Sequence, residues 1–402
     1  MKKISIFAIE YNQTQKVIMK RFFSIILCLA TLIGGLHTAT AQTSLPKTIH
    51  SGPFKSGHIQ GIAIDHARNH IYLSYTTMLI KTDLQGNILG SVVGLVGHLG
   101  DLTFNPQDGK VYGTLEYKDD SIGKNILKRE GSDKQFPNSF YIAIFDGEKI
   151  DHQDINPEKE IVVKTVHLQA VYNDYSATVQ TPEGEFKHRL GCSGVDGISF
   201  GPKFGKSGGK QYLTVAYGVY GETARKDNDY QVLHQYDVSK WDRYMRPLAQ
   251  TAEGMHKSGP KEPNNIYYAF TGNTNYGIQN LEYDPELKLW WMAVYKGSKR
   301  EYPNYGVFAV DGSMKPVKQS LKGVPYITKG LVIPLQQRIP SLKDEASGVS
   351  GWNFYLGSTG FYPAGNGYYY ISHNYANKEG QGSDLHLYRL SNANDKPFIR
   401  VE

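Results

Sequence analysis

The sequence predicts an all-β fold, and more specifically a seven-bladed β-propeller, from two observations. The first is composition: the 402 residues include 29 tyrosines and 42 glycines, and the chain lacks long stretches with a helical period. Short aromatic and β-branched runs between Gly, Asp, Asn and Pro turns indicate strands joined by tight turns. The second is an internal repeat of strand pairs, which radial propeller blades would explain.

The repeat is a pair of strands followed by a further strand that ends at a turn. The strand pairs lie at residues 61–65 and 71–74, 102–106 and 111–114, 197–200 and 212–215, 281–285 and 289–292, and 360–363 and 368–371. Most gaps between neighbouring first strands exceed the roughly 40 residues of a typical blade, so they could contain further blades. We therefore expect seven blades, with five blades and long insertions as the alternative. Residues 45–50 are expected to add a strand to the last blade and close the ring.

Residues 1–41 form a predicted leader that contains a signal peptide. A basic pair precedes the apolar run 22–35, which is too short to cross a bilayer but suits a signal-peptide core. The small residues 39–41 then supply a cleavage site, so the mature chain is expected to begin at Gln42. Met19 is the expected true start, and an N-terminal membrane anchor is the alternative. The expected location is periplasmic or secreted.

Charge and cysteine content exclude several classes of protein. The formal net charge is +6 for the whole chain, but removal of the leader lowers it to about +2. No basic run of the kind that nucleic-acid binding requires remains. Only Cys192 remains after cleavage, so no intramolecular disulfide can form. No linker composition divides residues 42–402, so we expect one propeller domain. From the charge and the leader, we expect neither a nucleic-acid partner nor a stable membrane anchor.

The propeller geometry assigns candidate side chains to two faces. The loop between the first and second strands of each blade lies on one face, here called posterior. The beginning of each first strand and the end of each second strand lie on the opposite face, here called anterior. His66, in the turn 65–69, is therefore posterior and close to the axis, whereas His98 and Tyr117 are anterior.

Three stretches resemble one superfamily of propellers: GHIQGIAID at 57–65, GHLGD at 97–101 and DNDYQVL at 227–233. This superfamily contains the ulvan lyases and the seven-bladed α-L-rhamnosidases of glycoside hydrolase family 145. The resemblance covers most of the mature chain. It implies an exo-acting rhamnosidase that hydrolyses terminal L-rhamnose-α-1,4-D-glucuronate linkages of arabinogalactan-type plant glycans. It also implies a single essential posterior histidine, which matches His66.

The chemistry of His66 is compatible with this role. Imidazole exchanges a proton near neutral pH, and the neighbouring Asp65 and Arg68 could tune its pKa. Most glycosidases use two carboxylates, but the sequence singles out no pair. The candidates lie at turns or strand ends, where acidic residues often only fix loops: Asp65, Asp101, Asp196 and Glu282. We predict His66 as the catalytic residue, with no cofactor required for catalysis.

A uronate lyase on the anterior face is the alternative enzyme. Elimination from a 4-linked uronate needs a group that neutralises the carboxylate and a base that removes the C5 proton. His98, Tyr230 and Arg246 match the lyase motif region loosely, and Arg225 could neutralise the carboxylate. Tyr117 stands where the lyases are expected to have a second histidine, which argues against lyase activity. A non-catalytic glycan-binding propeller is the third hypothesis.

A structural zinc site is a further hypothesis. His188 and Cys192 are four residues apart and precede a first strand, and His234 lies in the same repeat. His167 or His256 could complete the set. Imidazole and thiolate ligands suit zinc, but the spacing is not a standard zinc pattern. A buried free cysteine near unrelated histidines is the alternative.

The leader generates the first testable prediction. N-terminal sequencing of the exported protein should give Gln42 as the first residue, because cleavage requires small side chains before the cut. Replacing Ala41 by Leu should block cleavage and leave a longer product. A folded, exported product that still begins at Met19 would contradict the prediction.

Overall fold

Five β-sheets are arranged radially around one central channel. The computed structural model describes residues 45–402, so the predicted leader and its cleavage site lie outside the described residues. No helix in this part of the chain is long and apolar enough to cross a membrane.

The described chain contains 27 strands and three short α-helices. Strands β1–β9 are Thr48–His50, Ile59–Asp65, His70–Tyr75, Met78–Thr82, Ile88–Val92, His98–Asn105, Lys110–Tyr117, Ser139–Asp146 and Val163–His167. Strands β10–β18 are Thr178–Thr181, Gly184–Lys187, Cys192–Pro202, Gln211–Val219, Tyr230–Tyr236, Arg246–Pro247, Asn265–Phe270, Thr274–Asp284 and Leu289–Lys296. Strands β19–β27 are Val307–Asp311, Val317–Gln319, Gly330–Val332, Leu342–Lys343, Ser350–Gly351, Phe361–Gly365, Tyr368–Ala376, Gln381–Leu390 and Phe398–Arg400. Helices α1–α3 are Ser121–Arg129, Pro157–Glu160 and Gln169–Ser176, and two 3₁₀ helices are Arg189–Gly191 and Val238–Arg243.

Twenty-three of the strands form five blades in chain order, and β10–β11 and β22–β23 form two separate hairpins. Blade 1 is β2–β3–β4–β5, and blade 2 is β6–β7–β8–β9 with β15 at its edge. Blade 3 is β12–β13–β14–β16 with β21 and β20, blade 4 is β17–β18–β19, and blade 5 is β24–β25–β26 with β1 and β27. The innermost strands β2, β6, β12, β17 and β24 follow one another around the channel, and β24 contacts β2. The all-β propeller is confirmed, but it has five blades rather than the predicted seven.

The gaps that suggested two further blades contain insertions that extend existing blades. The segment after β14 returns to blade 2, where β15 pairs with β9. The segment after β19 returns to blade 3, where β21 joins β16 in parallel and β20 pairs with β21. Added strands satisfy the open hydrogen-bonding groups at the outer edge of a sheet. Spacing along the sequence counts residues between inner strands and does not distinguish a blade from an insertion.

The ring closes through a strand from the beginning of the described chain. Strand β1 pairs antiparallel with β26, and Thr48 lies opposite His386. This confirms the prediction that residues 45–50 add a strand to the last blade. Blade 5 is therefore held together by both ends of the propeller.

Large apolar side chains fill the spaces between blades. Consecutive residues of a strand point to opposite faces of the sheet, so Trp290 and Trp291 of β18 enter different interfaces. Trp290 packs on Phe204 towards blade 3, with ring centroids 5.0 Å apart. Trp291 packs on Phe398 of blade 5 at 5.2 Å. Both indoles are buried, so one pair of adjacent residues joins three blades.

A buried histidine in this core generates a prediction about pH. His167 of β9 is fully buried, and neither of its ring nitrogens has a hydrogen-bond partner within residues 45–402. Burial, assisted by His256 and Lys257, lowers its pKa to about 4. The unfolded chain binds this proton near the ordinary pKa of about 6.5. The contribution to stability is therefore full above pH 6.5 and is lost as the pH falls towards 4.

We expect His167→Leu to reduce the loss of unfolding free energy between pH 7 and pH 4.5 by about 2 kcal/mol. Urea unfolding at the two pH values measures this difference. His152→Leu, at an exposed surface position, serves as the control and should not reduce the loss. Equal pH dependence in the wild type and in His167→Leu would contradict the prediction.

Candidate functional site

Two polar side chains hold the five inner strands together at the axis. The Asp101 carboxylate is fully buried. Its oxygens accept hydrogen bonds from the backbone N–H of Leu102 at 2.9 Å, Ile198 at 3.1 Å and Leu281 at 3.0 Å. Blades 2, 3 and 4 are thus joined by one carboxylate.

The Asn280 amide completes the ring of contacts. Its nitrogen donates to the Gln60 carbonyl of blade 1 at 2.6 Å, and its oxygen accepts from the Phe361 N–H of blade 5 at 2.8 Å. Asp101 and Asn280 together therefore connect all five blades. They separate two cavities, one at each end of the channel.

The posterior cavity has a volume of about 490 Å³. It is built by the turns between the first and second strands, so every blade contributes. Its aromatic lining consists of Phe104, Phe200, Tyr283 and Tyr362, and its acidic lining of Glu282, Asp284 and Glu286. His66 also lines it, whereas none of the described lysines or arginines does. Apolar walls with a few polar groups are typical of sites for small ligands, and aromatic rings pack on sugar faces.

His66 lies where the sequence predicted it, in the posterior turn between β2 and β3. Its Nε2 is 2.9 Å from the hydroxyl of Tyr362, which belongs to blade 5. The turn is fixed by Asp65, whose carboxylate accepts from the Ala67 N–H at 3.0 Å and from the Arg68 guanidinium at 3.0 Å. Partial burial lowers the pKa of His66, and the Asp65 carboxylate opposes this effect. The neutral imidazole is favoured near pH 7, and its catalytic role stays a prediction.

Glu282 is a second titratable group of the same cavity. It is only 5% exposed. One carboxyl oxygen accepts from the Ser199 hydroxyl at 3.3 Å, and the other has no partner within the described chain. Burial and the nearby Asp101 carboxylate raise its pKa well above the usual range. The protonated acid is therefore favoured, and the posterior cavity contains a proton donor as well as a neutral imidazole.

The anterior cavity, about 300 Å³, contains a denser group of charges. His98 Nδ1 lies 3.6 Å from Glu116 Oε1 and 3.5 Å from Asp196 Oδ1. The Lys118 ammonium contacts Glu116 Oε1 at 2.5 Å. Burial and the Glu116 charge raise the pKa of Asp196 to about 6. Burial opposes ionisation of Glu116, but Lys118 and His98 outweigh it and lower its pKa.

The other residues of the predicted anterior lyase site do not join His98 in this cavity. Tyr117 and His98 together line a neighbouring cavity, where the Tyr117 hydroxyl donates to Gln250. Tyr230 is buried in the core of blade 3. Arg225 is fully buried and bound to Asp227 at 2.7 Å.

Arg246 is also far from the channel in the fold, because it lies in β15 at the outer edge of blade 2. It donates to the carbonyls of Arg243 and Met245. Of the predicted anterior set, only His98 lines the anterior cavity, and only Tyr117 joins it in the neighbouring cavity.

The predicted zinc ligands are not brought together. Cys192 and His234 lie opposite Val219 and Val215 of β13, and four residues along a strand span about 13 Å. His188 Nδ1 instead bonds to the Tyr175 carbonyl at 2.5 Å. Within residues 45–402, the one group of three His, Cys, Asp or Glu ligand atoms within metal-binding reach is His98, Glu116 and Asp196.

Sequence reasoning did not identify Glu116, Lys118 or the role of Glu282. Regular pairing of the hairpin outward from its turn would place Tyr117 opposite His98. A register shift between Leu99 and Leu102 brings Glu116 there instead, so the hairpin pattern alone could not identify Glu116. No local signal marks Glu282 either, since its raised pKa depends on Asp101 from another blade.

Comparisons with known proteins leave the family open. No protein-family model matches the sequence, and no curated protein matches it. Among solved structures, a GH43 β-1,3-galactosidase with galactodeoxynojirimycin is 11% identical, with 85% of this chain and 95% of that chain covered and a TM-score of 0.39. The soluble aldose sugar dehydrogenase from Escherichia coli is 11% identical, with 85% and 98% covered and a TM-score of 0.36.

A third similar structure is the calcium form of a carbohydrate-active enzyme of family AA12 from Trichoderma reesei. It is 11% identical, with 81% of this chain and 80% of that chain covered and a TM-score of 0.32. At these TM-scores the similarities carry no argument about activity.

The axial carboxylate generates a stability prediction. Asp101→Asn should lower the free energy of unfolding by about 3 kcal/mol, because an amide nitrogen would face buried N–H donors that need an acceptor. Urea unfolding measures the change. Asp83→Asn is the matched control: Asp83 also accepts two backbone N–H bonds, at 2.9 Å each, but within one turn. Equal effects at the two positions would contradict a special role for Asp101.

Proposed function

We propose that the protein is a glycoside hydrolase that acts in the posterior cavity, and specifically an exo-acting α-L-rhamnosidase. The observation that carries this proposal is that His66 and Glu282 line the same cavity with complementary protonation states. The substrate class and the histidine follow the resemblance of the sequence to the family 145 rhamnosidases, and Glu282 is added by the geometry.

Hydrolysis of a glycosidic bond needs a proton for the leaving oxygen and a base for the attacking water. Glu282, with its raised pKa, suits the role of acid. Neutral His66 suits the role of base. The bond between the anomeric carbon and the leaving oxygen breaks, the Glu282 proton moves to that oxygen, and the water oxygen bonds to the anomeric carbon. His66 accepts the proton that the water loses.

The lining of the cavity favours a neutral sugar at its centre. The carboxylates of Asp284 and Glu286 would repel a uronate there, whereas aromatic walls suit the methyl group and ring of L-rhamnose. The attached glucuronate would then lie outside the cavity. Arg68 lies in the same turn as His66 and is partly exposed, although its guanidinium forms ion pairs with Asp65 and Glu148. Export to the periplasm or the medium would bring the enzyme to plant glycans.

The main alternatives differ in product. A uronate lyase would yield an unsaturated uronate. This alternative is weakened because, of the predicted anterior set, only His98 lines the anterior cavity. A glycan-binding propeller would yield no product. Incubation with gum arabic arabinogalactan therefore distinguishes the three, and free rhamnose without an unsaturated product is expected.

We expect His66→Gln and Glu282→Gln each to lower the rate of rhamnose release by at least about 100-fold, because each removes a proton-transfer group. His66 is exposed, so its replacement should change stability by no more than about 0.5 kcal/mol. Gln matches the shape of a protonated Glu282, so the fold should survive there too.

His70→Gln is the control for these variants, because His70 belongs to the same hairpin but does not line the cavity. Its activity should remain close to that of the wild type. Undiminished rhamnose release by folded His66→Gln would contradict the proposed mechanism. An unsaturated uronate as the product would favour the lyase.

A further inference from the structure

Three ligand atoms converge at the anterior end of the channel, away from the cavity assigned to hydrolysis. His98 begins β6 and lies directly opposite Glu116 of β7. Asp196 belongs to β12 of the next blade. Its position falls within a register shift between Val195 and Ile198. Bulges of this kind redirect a side chain, and here the carboxylate is brought to His98 at 3.5 Å.

Two of the three converging atoms have no hydrogen-bond partner within residues 45–402. Asp196 is 8% exposed, and its Oδ1 has no hydrogen-bond partner within residues 45–402, while Oδ2 accepts from Gln279 at 3.0 Å. The Nδ1 of His98 is likewise buried and without a partner. Buried polar atoms are rarely left this way. Two such atoms that face each other across 3.5 Å point to a ligand between them.

The charged side chains around the site carry a net negative charge. Lys118 contacts Glu116 at 2.5 Å and Asp120 at 3.7 Å. In the described chain no lysine or arginine forms an ion pair with Asp196. Three carboxylates and one ammonium give a formal charge of −2. Arg129, at the mouth of the cavity, pairs with Glu130. Buried charges are normally paired or bound to metal.

We propose that His98, Glu116 and Asp196 bind one divalent transition-metal cation. A cation at about 2.0–2.2 Å from nitrogen and oxygen ligands separates them by about 3.4 Å in a tetrahedron. The observed separations from His98 Nδ1, 3.5 and 3.6 Å, match this spacing. One imidazole and two carboxylates suit Zn²⁺ or Mn²⁺. Lys118 contacts the ligating oxygen of Glu116, and it also donates to the Ser193 carbonyl at 2.7 Å, so it fixes the ligand's orientation.

The cation would bridge two blades and keep an open position. Its ligands come from blades 2 and 3, so binding would join them. The cavity beside it is lined by Gln279, Tyr276 and Tyr295. Three protein ligands and one open position are the arrangement of metal sites that bind a further oxygen ligand. A hydroxyl or carboxylate of a saccharide has the required chemistry.

The test uses the untagged mature protein after dialysis against EDTA. Titration calorimetry with Zn²⁺ and with Mn²⁺ should show saturable binding of one cation per chain, and the melting temperature should rise with the cation, since binding favours the folded state. His98→Ala loses no hydrogen bond through Nδ1 and should fold. His98→Ala and Asp196→Asn should each weaken binding by at least about 10-fold.

His152→Ala is the matched control. This histidine also lies between two carboxylates, at 2.8 Å from Asp151 and 3.3 Å from Glu160, but all three are exposed. Its removal should leave the affinity unchanged. The proposal is overturned if neither metal binds saturably, or if folded His98→Ala binds as tightly as the wild type. It is equally overturned if His152→Ala alone removes binding. Circular dichroism confirms that each variant is folded.

Discussion

The architecture depends on the hydrogen bonds that Asp101 and Asn280 make at the axis. Five inner strands converge there, where water cannot reach. Their backbone N–H and C=O groups would otherwise remain without hydrogen-bond partners. One carboxylate and one amide satisfy five of these groups on five blades. The approach is so close that a Cβ on Gly61 would lie 2.5 Å from Asp101 Oδ1. Glycine at this position is therefore a packing requirement.

Burial of carboxyl groups shapes the chemistry of both cavities. On the posterior side, burial and the nearby Asp101 raise the pKa of Glu282 well above its usual range and favour its protonated form. On the anterior side, Glu116 and Asp196 are close to each other, and only Glu116 has a lysine partner. The proposed proton-transfer pair and the proposed cation site therefore lie at opposite ends of the channel.

The sequence predicted the strand pairs, the ring closure and the face of His66, because these follow from local alternation and chain order. It did not predict the blade number, since insertions that extend a sheet have the same length as a missing blade. Arg225 looked available for substrate but is buried against Asp227. Cys192 and His234 lie in the same sheet but at different positions along its strands. The burial of Arg225 and the separation of Cys192 from His234 depend on how the folded chain packs, which local sequence patterns do not show.

Closure of blade 5 by β1 has a consequence for the order of assembly. Thr48 and His386 are among the earliest and latest residues of the described chain, so this pairing has the longest loop that the propeller must close. Contacts so distant in sequence slow folding. During synthesis the first blade must wait, with an uncovered flank, until the ribosome has delivered nearly the whole chain. A molecular chaperone that shields this flank would thus affect the yield of native protein more than its final stability.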